Sequence, residues 1–278
     1  MVRRLILIAA LLTCVTAFAV DILWLDMTQP IELSGGTWRN VPTGGGDYTT
    51  DSILYSKYET DLDIQPDYSV LGTSTGVLAT GAGRPTHTNG WGGTYYFDAG
   101  DEISYGDKPV FTFSDGVSDN EFSVNIWTWS SSFSATRALI TKDSGGTDTF
   151  GEWYLYASSA RIYFGTVSSN GVATRSIRTS TSVSTGEWVM VTAVYKPSLS
   201  PVTNAMELYT NGIWVPPIQV KDVVSYVAMS PKSNPVLVGN FNTFSKGWIG
   251  YLDNPRIYTN ALTQARITEI YDFEKGLY

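Results

Sequence analysis

From residue 121 onward the chain is a procession of short apolar segments that alternate with period two. Each is closed by a turn signal, and helical periodicity shows only near the C-terminus. Residues 121–129, EFSVNIWTW, place Phe122, Val124 and Ile126 on one face and Asn125, Trp127 and Trp129 on the other. RALITK, EWYLYAS and RIYFGTV follow as short strands, and the turn from Ser168 to Gly171 reads as a hairpin. Residues 186–196, GEWVMVTAVYK, form the most apolar strand; residues 206–215 are a hairpin with Asn211-Gly212 at its tip; residues 235–242, PVLVGNFN, are one more short strand. Strands this short and this closely spaced bury one face each against a second sheet, so the chain is expected to be an all-β sandwich.

The run 248–273, WIGYLDNPRIYTNALTQARITEIYDF, ends the pattern. Ile249, Tyr251 and Ile257 sit in β-rich sequence, and Gly250 stands where a side chain would crowd a neighbour. Asn254-Pro255 breaks the alternation and predicts a bulge or bend. Leu262, Ile267, Ile270 and Tyr271 recur at helical spacing behind Thr263, a good N-cap. Arg266 stands where a capping box carries glutamate, so the reciprocal bond is not expected. A single helix after so many strands docks on the edge or end of the sandwich.

The order of these motifs resembles laminin-G-like, concanavalin A-like jelly-roll domains. Their last strand reads roughly F-x-G-x-I-D-E-V-R-I-Y and is followed by a helix; Asp253, Arg256, Ile257, Tyr258 and Leu262 match it, with Asn254 in place of the glutamate. Asp67, Ser69, Gly72, Gly76, Phe97, Asp98, Asp101 and Ile103 follow the family's opening, and Val189 and Met190 replace two histidines of its apolar strand. The resemblance implies a two-sheet antiparallel jelly-roll sandwich with one short C-terminal helix over residues 51–278. Residues 20–50, rich in glycine and polar residues, are expected to be an N-terminal segment or linker.

The chain opens with Arg3 and Arg4, an apolar stretch over 5–12, and Ala17-Phe18-Ala19. This predicts a secretory signal peptide over 1–19, cleaved after Ala19 and too short to span a bilayer, and hence a secreted or cell-surface protein. Cys14, the one cysteine, leaves with it, so no disulfide forms in the mature chain. The formal charge is −8; removing Arg3 and Arg4 leaves 16 basic against 26 acidic residues, or −10. That balance argues against nucleic acid or an anionic membrane as partner.

Chemistry has few places to sit. His87 is the one histidine, and no Gly-x-Ser-x-Gly elbow accompanies it, so neither a triad nor a zinc site is expected. Glycosidases of the concanavalin A-like fold carry carboxylates at alternate positions of one strand. Here Glu269, Asp272 and Glu274 lie on the terminal helix, where a solvated face is expected, and Asp98, Asp101 and Glu102 lie at a strand turn. The resemblance implies one structural calcium, with Asp67 and Asp253 as candidate ligands; pairing of Asp253 with Arg256 is the alternative.

Aromatic residues are the remaining lead. Tyr154 and Tyr156 alternate against Trp153 and Leu155, and Tyr163 against Ile162 and Phe164. Three strands can thus present Trp129, Tyr154, Tyr156 and Tyr163 on one face, where rings stack on sugars and Tyr hydroxyls and Asn125 hydrogen-bond sugar hydroxyls; burial of these rings in the core or under a loop is the alternative. Trp127 is expected to be buried. The first expectation for function is a secreted, non-enzymatic binding or adhesion module recognising carbohydrate on a glycan or glycoprotein surface. A structural surface-layer or virion protein, self-associating through the sandwich, is the second, and a concanavalin A-like glycosidase or lyase the third.

Overall fold

The computed structural model of the chain describes residues 31–34, 37–40, 52–59, 61–65, 69, 72, 74–143, 151–168, 174–198, 200–241 and 246–278. The expected signal peptide, Asp67 and most of the Ser168 to Gly171 turn lie outside these residues. The chain divides into two compact units, residues 1–47 and 48–278. In the first, β1 (Ile31–Ser34) and β2 (Thr37–Asn40) form an antiparallel hairpin.

The second unit is the sandwich. Its strands are β3 (Ser52–Tyr55), β4 (Ile64–Gln65), β5 (Gly76–Leu78), β6 (Thr86–Thr88), β7 (Thr94–Phe97), β8 (Ile103–Gly106), β9 (Phe122–Trp129), β10 (Arg137–Lys142), β11 (Trp153–Ser158), β12 (Arg161–Val167), β13 (Thr174–Thr179) and β14 (Trp188–Tyr195). After a one-turn helix α1 (Val202–Ala205) come β15 (Met206–Thr210), β16 (Ile213–Val215), β17 (Pro217–Asp222), β18 (Val236–Val238), β19 (Gly250–Tyr258) and the helix α2 (Gln264–Glu274). One antiparallel sheet runs β17-β13-β12-β11-β10-β18-β8-β5-β4; the other runs β16-β15-β14-β9-β19-β7-β6, with β3 also paired to β19.

Alternation builds the core between them. Phe122, Val124 and Ile126 of β9 meet Trp153, Leu155, Ile162, Phe164 and Ile177 of the opposite sheet. Phe113 stacks on Phe122 at 4.4 Å, and Tyr195 meets Phe122 edge-on at 5.6 Å. Each such side chain, fully buried, contributes about 1.5–3 kcal/mol of apolar transfer.

The outer face of the β9 sheet is covered by α2. Thr263 caps that helix, its Oγ1 accepting the Arg266 N–H at 3.3 Å. Ile267 and Ile270, with Leu262 just before the helix, pack on Trp127, Met190, Val194, Tyr209 and Tyr258, so Trp127 is buried as expected, under the helix rather than between the sheets. The helix hides one charge: Glu274 is buried rather than solvated and pairs with Arg256. The Asn254-Pro255 break is a register shift in β19 between Asp253 and Arg256, with Asn254 in the left-handed region at φ 48°. Asn211 and Gly212 (φ 51° and 75°) make the two-residue turn from β15 to β16, and Asn211 Oδ1 accepts the Met190 N–H at 2.9 Å.

Candidate functional site

The tyrosines of β11 and β12 reach the outer face of the nine-stranded sheet because Trp153, Leu155, Ile162 and Phe164 take the inner one. Tyr156 and Tyr163 are register partners, and their rings lie parallel, 4.9 Å apart at 4°. Both are half-buried. Tyr154 joins them at 5.5 Å from Tyr156 and lies across β12 at Gly165, where an added Cβ would fall 2.4 Å from its hydroxyl. Glycine there lets the ring lie flat. Ala138 is opposite Tyr156 on β10, and Phe241 stands 6.2 Å from Tyr156.

Charge of both signs borders these rings. Arg178 is the register partner of Tyr163 on β13 and is half-exposed. Asp143, at the end of β10, acts electrostatically on Tyr154 and Tyr156. Burial, then the neighbouring Tyr163 and the Asp143 charge, pushes the Tyr156 phenol up to about 12. Burial also raises Tyr154. Both phenols are therefore neutral at ordinary pH and serve as hydrogen-bond donors and acceptors. Rigid rings, neutral hydroxyls and one charge of each sign suit a polyhydroxylated ligand with apolar faces.

Two expected members of this site are elsewhere. Trp129 is on β9, in the opposite sheet, so its outward face points to the other side of the sandwich from the tyrosines. Alternation correctly turned each strand outward; it carries no information on which sheet a strand joins. Asn125 is fully buried, donates to Thr192 Oγ1 at 2.7 Å and accepts from Arg256 at 3.2 Å, so it is a structural amide and not a ligand contact. Arg178 was not anticipated, although the expected hairpin after β12 is the signal that brings β13 alongside and sets Arg178 opposite Tyr163.

The calcium candidates divide likewise. Asp67 lies outside the described residues. Asp253 is buried, with Oδ1 accepting the Asn254 N–H at 2.8 Å and Oδ2 accepting the Tyr278 hydroxyl at 2.6 Å. Its neighbour Glu274 is taken by Arg256 and by Trp127 Nε1 at 2.7 Å. Calcium takes six to eight oxygen ligands, and donors surround Asp253 instead. Among the described residues no group of three or more acidic, histidine or cysteine side chains is placed to hold a metal. This donor set does not fit calcium.

The other acidic groups are structural. Asp101 Oδ2 accepts the Asp98 N–H at 2.7 Å, and Glu102 accepts from Asn240 at 3.4 Å. His87 Nε2 lies 3.0 Å from the Tyr58 carbonyl oxygen, with its ring against Tyr95 at 5.2 Å.

A model of the family described as the concanavalin A-like lectin/glucanase superfamily matches residues 97–268. No curated protein matches the sequence. Among solved structures, the binding domain of botulinum neurotoxin serotype G is similar with a TM-score of 0.58 at 14% identity, over 80% of this chain and 51% of that one. The binding domain of Paraclostridial mosquitocidal protein 1 gives 0.59 at 14% identity, over 80% and 52%. Domain 4 of AbnA, a GH43 extracellular arabinanase from Geobacillus stearothermophilus, solved with arabinotriose, gives 0.56 at 16% identity, over 80% and 99%. The chain spans about half the length of the two toxin binding domains it matches. At these identities the likeness is one of fold.

Proposed function

The chain belongs to the concanavalin A-like lectin/glucanase superfamily, and within it we propose a non-catalytic carbohydrate-binding module that recognises a glycan through Tyr154, Tyr156 and Tyr163. The observation that carries this reading is the parallel Tyr156–Tyr163 pair on an outer sheet face beside Arg178. A stacked phenol pair presents a rigid platform of low entropic cost, and sugar C–H faces lie on such rings while the hydroxyls of both partners exchange hydrogen bonds.

The non-catalytic part rests on the same face. Glycoside hydrolysis needs two facing carboxyls, and among the described residues Asp143 is the carboxylate that acts on Tyr154 and Tyr156. The AbnA domain solved with arabinotriose lends support as a fold relative. Export is part of the proposal and rests on the Arg3, Arg4 and Ala17-Phe18-Ala19 leader.

The test is a glycan array followed by affinity electrophoresis on the polysaccharides it selects. Tyr163→Ala and Tyr156→Ala are expected to weaken retention about tenfold each, ~1.4 kcal/mol, with melting temperatures close to the parent's. Release of reducing sugar by the purified protein would replace this reading with an enzymatic one. Retention by no glycan, or retention untouched by both substitutions, would remove the tyrosine face from it.

A further inference from the structure

A second aromatic row leaves the opposite sheet. Register sets Tyr96 beside Tyr251, Tyr251 beside Trp129, and Trp129 beside Trp188. Tyr96 and Trp129 meet Tyr251 at 5.1 and 5.5 Å. Tyr278 closes one side at 4.5 Å from Trp188. From the loop before β7, Trp91 stands edge-on to Tyr251 at 5.1 Å and to Trp188 at 5.5 Å, and it is 38% exposed.

The backbone of Trp91 is unusual. At φ 55°, ψ 36° it occupies the left-handed region, where a bulky side chain is an outlier and glycine is at ease. Glycines surround it, at 90, 92 and 93. Gly93 packs so closely that an added Cβ would lie 2.6 Å from Glu59 Cα, which pins the loop. A tryptophan is thus held in a strained conformation without being buried, so core packing does not account for it. Such strain clusters at ligand sites. Beneath it, Trp188 Nε1 is a buried donor with no hydrogen-bond partner among the described residues.

We propose that this row is a second binding site, separate from the tyrosine face, that takes one uncharged pyranose ring against Trp91 and Trp129. The Tyr96 and Tyr251 hydroxyls are the polar contacts. Tyr96, Trp129 and Tyr251 are each only partly exposed, which leaves the footprint of a sugar ring rather than of a protein interface. Among the described residues, Glu187 adjoins Trp188, and Glu59, against which Gly93 packs, stands 4.0 Å from Lys57. They supply no net cation for an acidic sugar or a phospholipid headgroup.

Tryptophan fluorescence excited at the red edge reads this site and not the tyrosine face. The full-length protein is titrated with millimolar methyl glucopyranosides, methyl galactopyranosides and their neutral oligomers, and in parallel with neutral and anionic phospholipid vesicles. A saturable emission shift with at least one sugar is expected, unchanged in Tyr163→Ala. Trp91→Gly, which relieves the left-handed strain, is expected to weaken it about tenfold or more without lowering the melting temperature. Trp129→Phe keeps a ring and weakens binding by a smaller factor; it carries the test if Trp91→Gly fails to fold. No shift with any sugar, a shift at parental affinity in the variants, or a shift with vesicles alone overturns the proposal. An emission shift abolished by Tyr163→Ala and untouched by Trp91→Gly would leave the tyrosine face standing and this site refuted.

Discussion

Arg256 and Glu274 form a buried, two-pronged ion pair that ties the last strand of the sandwich to the last turn of α2. The Arg256 Nη1 donates to Glu274 Oε2 at 3.1 Å, and its Nη2 donates to Oε1. Trp127 Nε1 and Asn254 Nδ2 donate to the same carboxylate. The pair sits where apolar contacts alone would let the helix slide along the sheet. A fork meeting a carboxylate fixes both distance and angle.

Removing one partner is expected to cost far more than removing both. Glu274→Gln or Arg256→Met leaves a buried charge uncompensated, and a loss of about 3–5 kcal/mol is expected. The double variant Arg256→Met/Glu274→Leu is expected to recover most of it. Urea unfolding of the three variants reads the difference, and equal stability of single and double variants would mean the pair is solvated in solution.

Asp253 gives the protein an unusual pH dependence. Burial, opposed by the hydrogen bonds from Tyr278 and Asn254 and reinforced by the Glu274 charge, lifts its carboxyl to about 7 from an ordinary 3.8. The folded chain therefore holds this proton more tightly than the unfolded chain. Its contribution to stability is full below about 3.8 and is lost as pH rises through about 7. Relative to Asp253→Asn, the parent is expected to lose up to roughly 4 kcal/mol across that window. Unfolding profiles at constant ionic strength check this, and parallel profiles would place Asp253 near its ordinary value. Chelator is expected to leave both profiles unchanged, since the donors around Asp253 do not suit calcium.

Gly250 of β19 lies close against the backbone of β9. It has φ 134°, and an added Cβ would lie 2.1 Å from the Trp129 carbonyl oxygen. Gly250→Ala is expected to cost at least about 3 kcal/mol, because backbone has to yield rather than a side-chain tip. Chemical denaturation checks the cost, and a loss below 1 kcal/mol, roughly that of an ordinary surface change, would show that β9 and β19 separate there easily.

Much of the local structure was legible in the chain. Asn211-Gly212, Thr263 and Asn254-Pro255 each act through their own backbone or that of near neighbours, and each did what its chemistry implies. Trp91 was not legible, since its left-handed backbone depends on Gly93 meeting Glu59 from another part of the fold. Glu274 was misread as solvated because its partner, Arg256, arrives from β19 only after α2 folds back over the sheet.

By itself the sequence determined which side chains of a strand point in and which point out, because the covalent geometry of an extended chain alternates them whatever the strand pairs with. That is why Trp129, Tyr156 and Tyr163 were all rightly turned away from the core. Only the tertiary structure decided on which side of the molecule each would emerge. β10 to β13 pair with their sequence neighbours, but joining β9 to β14 and β19 in the other sheet is long-range pairing that alternation does not encode. One expected aromatic face thereby became two, on opposite surfaces: one bordered by Arg178 from the adjacent strand, the other completed by Trp91, which the sequence order holds far from Tyr251 and Trp188.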